Sequence, residues 1–180
     1  PLSVDIEFGY GQTPAEIVNN IVALEKSGVA GINIEDSFVE NGERTLKNSM
    51  PFSQLLTEIK SILAHQNIQI FINVRCDAFL LNIPNAIKVA TERIKQYEQA
   101  GADGIFLPCI TQESDIAQSV AQTKLPINVM CMPQLPNFET LQKLGVKRIS
   151  MGNFLNSYIY SALENMTTKI LAERSFNALF

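Results

Sequence analysis

The sequence has one histidine, His65, no tryptophan, and only three cysteines, Cys76, Cys109 and Cys131, in 180 residues. Three cysteines without paired spacing argue against a disulfide framework or a zinc ribbon, and a reducing cytosol is the expected compartment. With so few nitrogen and sulfur ligands, a bound metal is expected to be a hard cation on carboxylates, Mg²⁺ rather than Zn²⁺. Long apolar runs are missing too. Stretches such as Ile70-Phe71-Ile72 fall far short of a bilayer span, and Pro1 leads straight into a strand-like run without a basic or long apolar leader. No membrane span and no signal peptide are expected. Nor is there an excess of positive charge: 14 Lys and Arg against 18 Asp and Glu leave −4. That balance removes the electrostatic reason to bind nucleic acid.

What is present suits a globular fold. Hydrophobic residues make up 46% and charged residues 18%, enough to build a core, and the length predicts a single domain over 1–180. Strand-like runs recur at 2–8, 30–35, 70–76, 104–108, 126–130 and 148–152, with helical periodicity between them. The first helix has a clear start: Thr13 as N-cap, Pro14 at the first position and Glu16 completing a capping box. Further helices are expected at 50–66, 85–100, 112–123, 137–144 and 153–179. Three times a helix closes on glycine before the next strand, at Gly28, Gly101 and Gly145. Strands separated by helices run parallel, which leaves a doubly wound sheet or a barrel. Both place their chemistry at the carboxyl ends of the strands. The polar segment 36–49 reads as a mobile lid loop over such a site.

At those strand ends the sequence puts acids. Asp5 and Glu7 alternate onto one face of the first run, and Glu35 closes the second. These three could converge on one Mg²⁺, partly through water, or they could cap helices or pair with Arg75. Arg75 ends the third run and is the candidate catalytic and substrate-binding residue, because a planar guanidinium at a buried strand end needs an anion. The alternative is a structural ion pair with Asp5, Glu7 or Asp77. Gly9-Tyr10-Gly11 lacks the continuation of a nucleotide-binding loop and is read as a tight turn, with Gly9 and Tyr10 as candidate substrate-binding positions. Asn153, after the last strand, is a further candidate for gripping an anion. The cysteines read as core residues, and His65 as a helix-end residue. Tyr158, Tyr160, Leu163, Met166, Ile170 and Leu171 make the terminal helix apolar enough to meet a partner subunit.

Taken together, Val4-Asp5-Ile6-Glu7-Phe8-Gly9-Tyr10-Gly11, Gly31-Ile32-Asn33-Ile34-Glu35-Asp36-Ser37, Asn73-Val74-Arg75-Cys76-Asp77-Ala78-Phe79, Ala100-Gly101-Ala102-Asp103-Gly104-Ile105-Phe106 and Gly145-Val146-Lys147-Arg148-Ile149-Ser150-Met151-Gly152 follow one another in an order that resembles the isocitrate lyase and phosphoenolpyruvate mutase superfamily. The phosphoenolpyruvate mutase-like branch is the nearest. The resemblance implies a (β/α)₈ barrel, of which about six βα units are present, with a terminal helix exchanged between subunits of a dimer or tetramer. It implies Mg²⁺ on Asp5, Glu7 and Glu35, Arg75 on the substrate anion, and a small α-oxo or 2-hydroxy acid substrate. The activity implied is a Mg²⁺-dependent lyase that makes or breaks a C–C bond through an enolate. Phosphonate P–C chemistry and a catalytically silent assembly module are the alternatives.

Two departures qualify the resemblance. The lid motif of the isocitrate-type lyases, Lys-Lys/Arg-Cys-Gly-His, is replaced by a stretch over 38–46 without Cys or His, so cleavage by that mechanism is not expected. The match also begins at the family's third strand, without counterparts of its first two strands, of another metal-site Asp or of the oxyanion donors. The sequence is therefore expected to be part of a longer protein.

Overall fold

The computed structural model describes residues 1–180, which divide into two compact units, 1–149 and 150–180. Six strands form one sheet: β1 (Ser3–Asp5), β2 (Gly31–Glu35), β5 (Phe71–Arg75), β6 (Gly104–Leu107), β7 (Ile127–Met130) and β8 (Arg148–Ser150). Their spatial order is the order of the chain, and the pairs from β1 through β7 are all parallel. A doubly wound sheet reverses its strand order at a switch point; this one never does, so it winds as a barrel does. Between strands lie α1 (Pro14–Lys26), α2 (Ser49–His65), α3 (Ala86–Gln99), α4 (Glu113–Ala121) and α5 (Phe138–Leu144).

Local sequence accounts for most of these elements. Thr13 Oγ1 accepts the Glu16 N–H at 3.3 Å while Glu16 Oε2 accepts those of Gln12 and Thr13, the reciprocal capping expected of this start. The amides Glu16 accepts hold its carboxyl below the ordinary range. Ile17, Val18 and Ile21 are buried on one face of α1, each contributing about 1.5–3 kcal/mol relative to exposure. Gly28, Gly101 and Gly145 all take the left-handed conformation after a helix, with φ of 85°, 92° and 93°.

Strand periodicity then divides the sheet into two faces. Ile32, Ile34, Ile72, Val74, Ile105 and Leu107 are buried within the apolar core. The alternate positions Asn33, Asn73 and Asn128 form an amide ladder, with Asn73 Nδ2 donating to Asn33 Oδ1 at 2.9 Å and to Asn128 Oδ1 at 3.2 Å. Buried amides are tolerated here because they satisfy one another. Two residues further along on this polar face come Glu35 and Arg75.

The expected lid loop over 36–49 is instead an antiparallel hairpin, β3 (Ser37–Glu40) and β4 (Glu43–Leu46). Its two-residue turn is Asn41-Gly42, with φ of 52° and 82°. Positive φ at both positions matches the twist of the flanking strands, which is why Asn-Gly favours this turn.

The second unit contains α6 (Phe154–Glu173), none of whose residues is buried, and a short 3₁₀ turn (Asn177–Leu179). No helix is long and apolar enough to cross a membrane.

Candidate active site

The parallel register sets Asp5 beside Asn33, and Glu35 beside Arg75. Asp5, Glu35 and Arg75 are thereby gathered at the carboxyl ends of three adjacent strands. Glu35 is 1% exposed. Arg75 donates through Nε to Asp77 Oδ1 at 2.6 Å and through Nη2 to Asp77 Oδ2 at 3.1 Å. Its Nη1 lies 2.9 Å from Glu35 Oε2 and 4.0 Å from Asp5 Oδ2. The ion-pair alternative for Arg75 is thus realised with Asp77, Glu35 and Asp5. Asp77 is fully buried and also accepts the Ser37 hydroxyl at 2.5 Å.

The three acids do not form one ligand cluster. Alternation fails because β1 stops at Asp5. Glu7 sits in the following turn at φ 49°, its N–H donated to Asp5 Oδ1 at 2.8 Å and its carboxylate beside the Tyr10 hydroxyl. Desolvation and the negative charges of Glu7, Asp5 and Glu35 push the Tyr10 phenol up. Gly9 and Tyr10 complete the turn, and Asn20 Nδ2 ties both of their carbonyls to α1 at 3.0 Å. Asn153 is the N-cap residue of α6 in the second unit and its side chain makes no capping bond.

Gly9 is dictated by space as well as by its φ of 107°: an added Cβ would meet Ile17 Cδ1 and Cγ1 at 2.8 Å. Gly9→Ala is expected to cost roughly 1–3 kcal/mol from the backbone conformation alone. Urea unfolding would check this, and an unchanged midpoint would remove the claim.

A residue that the sequence did not single out completes the site. Arg44, on β4, points its Nη1 at Glu35 Oε1, at Ser37 Oγ (2.7 Å) and towards Asp77 Oδ2 (3.4 Å). The Asn41-Gly42 turn was the available signal, since recognising the hairpin pairs Arg44 with Val39 on the strand that follows Asp36. Burial pushes the Glu35 carboxyl up, and the adjacent Arg44 and Arg75 guanidiniums only partly oppose it.

A hard cation fits this donor set on two observations. Glu35 Oε2 is buried and accepts no hydrogen bond despite its proximity to Arg75. In addition, the three carboxylates Asp5, Glu35 and Asp77 outnumber the two guanidiniums, Arg44 and Arg75, that pair with them, an excess of negative charge of the kind a cation offsets. One or two direct carboxylates plus water suffice for Mg²⁺, so a three-acid cage is not required.

Comparison with known proteins covers nearly the whole chain. The sequence profile of the phosphoenolpyruvate phosphomutase family matches residues 1–171. A 2-methylisocitrate lyase from Shewanella oneidensis is 31% identical over 156 residues, covering 83% of this chain and 52% of that protein. An oxaloacetate decarboxylase from Ectopseudomonas mendocina is 28% identical over 157 residues, covering 85% and 52%. The chain spans about half the length of these curated relatives. The solved structure of a 2,3-dimethylmalate lyase is similar with a TM-score of 0.84 at 19% identity, covering 98% of this chain and 62% of that one. That likeness concerns the fold, and agrees with a partial (β/α)₈ barrel.

Proposed function

The chain belongs to the phosphoenolpyruvate phosphomutase family, and on that premise we propose that it contributes the site of a Mg²⁺-dependent lyase that makes or breaks a C–C bond next to an α-oxo acid. Glu35 and Asp5 are the direct ligands in this reading, with Glu7 acting through water. When bound, the divalent ion supplies Lewis-acid polarisation of the oxygen on which negative charge develops. Arg75 holds Asp5 and Glu35 in register and offers its remaining N–H groups to the substrate anion. The turn at Gly9 and Tyr10 lines the approach, its phenol pushed up by desolvation and by the surrounding acids. The hairpin covers buried Glu35 and Asp77, keeping water from their charges.

The observation that carries this reading is the buried Glu35 carboxylate at a strand end shared with Asp5 and Arg75, whose Oε2 is ion-paired with Arg75 but accepts no aligned hydrogen bond. The names of the lyase and decarboxylase relatives support the C–C branch. P–C chemistry is favoured by one feature: β3 and β4 offer no Cys or His as a proton donor. The same reading has α6 packing against another copy of the chain.

The test is turnover by the full-length protein of oxaloacetate, 2-methylisocitrate and phosphonopyruvate, with Mg²⁺ and with EDTA. Pyruvate release that EDTA abolishes is expected. A shifted phosphorus resonance from phosphonopyruvate would move the assignment to P–C chemistry, and no turnover of any would leave an assembly module. A monomer by size-exclusion chromatography would remove the role given to α6.

A further inference from the structure

A cavity of about 470 Å³ opens between the turn after β1, the hairpin and the start of α2. It is separate from the strand-end acids: none of Asp5, Glu7, Glu35, Arg75 and Asp77 lines it. Phe8, Phe38 and Phe52 wall it together with Ile17 and Leu55, and Gln12 and Asn48 add neutral amides. Lys47 supplies its only charge. Small-molecule sites have this make-up, at roughly 300–1,000 Å³, mostly apolar and aromatic with a few placed polar groups.

The backbone of Lys47 is pinned. Its N–H donates to the Asp36 carbonyl at 2.8 Å, and its own carbonyl accepts Arg93 Nη2 at 2.7 Å. The ammonium then lies 5.5 Å from the centre of the Phe8 ring and 5.3 Å from that of Phe52. A ring face attracts a cation by about 0.5–2 kcal/mol, but it carries no net charge. The carboxylates whose fields reach Lys47, those of Glu35 and Asp36, are ion-paired with Arg44, Arg75 and Arg93 instead. Burial pushes the Lys47 amine down, and those two acids only partly oppose it. An anion reaching Nζ would supply the counter-charge that the protein does not.

The walls set the rest of the ligand. A small dianion would bring a second charge against phenylalanine and leucine side chains, where it has no partner. A single carboxylate on an apolar body buries that body at a gain of about 25 cal/mol per Å².

We infer that this cavity is a second binding site, for a small monocarboxylate with an apolar body, which places its carboxylate on Lys47 Nζ and its body against the phenylalanines. The inference goes beyond the lyase reading and does not depend on it. Its occupant touches the turn after β1 and the hairpin together.

The experiment uses the full-length protein, with benzoate as the probe, benzamide as its uncharged counterpart and acetate as the anion without an apolar body. Calorimetric titration is expected to show benzoate binding at least about tenfold more tightly than either. Lys47→Met is expected to weaken benzoate about tenfold or more, the loss of a charge-assisted contact, and to leave benzamide unchanged. Val39→Glu is the second variant. Val39 lines the cavity and is 48% exposed, so an acid is tolerated there and should repel benzoate, again about tenfold. It decides the question if Lys47→Met does not fold. Benzoate affinity unchanged in Lys47→Met, or in Val39→Glu where that variant decides, overturns the inference. Wild-type protein that binds benzoate no better than benzamide or acetate also overturns it. Benzoate bound only in the presence of Mg²⁺ overturns it as well, because the molecule would then sit with the strand-end acids.

Discussion

Asp36→Ala is expected to destabilise the protein by about 3–5 kcal/mol, the cost of removing one partner from a buried ion pair. Asp36 is fully buried beside the site. Its Oδ1 accepts the Asp77 N–H at 2.9 Å, and its Oδ2 accepts Arg93 Nη1 at 2.8 Å and the Tyr97 hydroxyl at 2.6 Å. Arg93 in turn donates through Nη2 to the Lys47 carbonyl at 2.7 Å, just past β4. Removing the carboxylate strands a buried guanidinium, frees the amide of the residue that holds Arg75, and slackens the base of the hairpin. Burial and the Asp36 charge push the Tyr97 phenol far up, so it remains a neutral donor and cannot replace the lost anion. Set against a typical total of about 5–15 kcal/mol, this loss lowers the melting temperature by roughly 6–20 °C. Urea and thermal unfolding would measure it. A change below about 1 kcal/mol would show that Arg93 finds solvent or another acceptor, and the network would not be structural.

Glu35→Gln should separate chemistry from folding. The amide preserves size and can still accept from Arg44 through its oxygen, but it removes the charge and turns a donor towards Arg75 Nη1, now 2.9 Å from Oε2. Stability is expected to change less than in Asp36→Ala, since Arg44 and Arg75 both keep Asp77 as a partner. Mg²⁺ affinity is expected to fall at least about tenfold. Turnover should fall roughly 10²–10³-fold, the scale on which a single preorganised electrostatic group acts in a transition state. Calorimetric Mg²⁺ titration with kcat/KM on the best substrate would check both. Titration curves that superimpose on wild type would sink the assignment of Glu35 as a ligand, whatever the effect on turnover.

The two variants act on adjacent residues, and the sequence announced them unequally. Glu35 stood out as an acid closing an apolar strand. Asp36 did not, because its partners Arg93 and Tyr97 lie 57 and 61 positions along the chain. The same holds for Arg44, whose contact with Asp77 spans 33 positions. Asn41-Gly42 was a local signal for the hairpin that carries it, but β3 and β4 are only four residues long, and such short runs flanked by polar residues read as loop.

What the sequence determined by itself is what depends on neighbours within about one turn: the Thr13-Pro14-Glu16 helix start, the three glycine helix ends, and the alternation that buries Ile32, Ile34, Ile72 and Val74. Those preferences act through backbone torsions and short-range hydrogen bonds, so they are written locally. Tertiary structure decided the rest. Strand order chose barrel winding over double winding, and register set Glu35 against Arg75. The end of β1 at Asp5 put Glu7 in the following turn rather than on the strand, and Arg44 and Arg75 came to share the buried Glu35 and Asp77. Charge pairing in a desolvated strand end depends on distance in space, and no spacing along the chain encodes that distance.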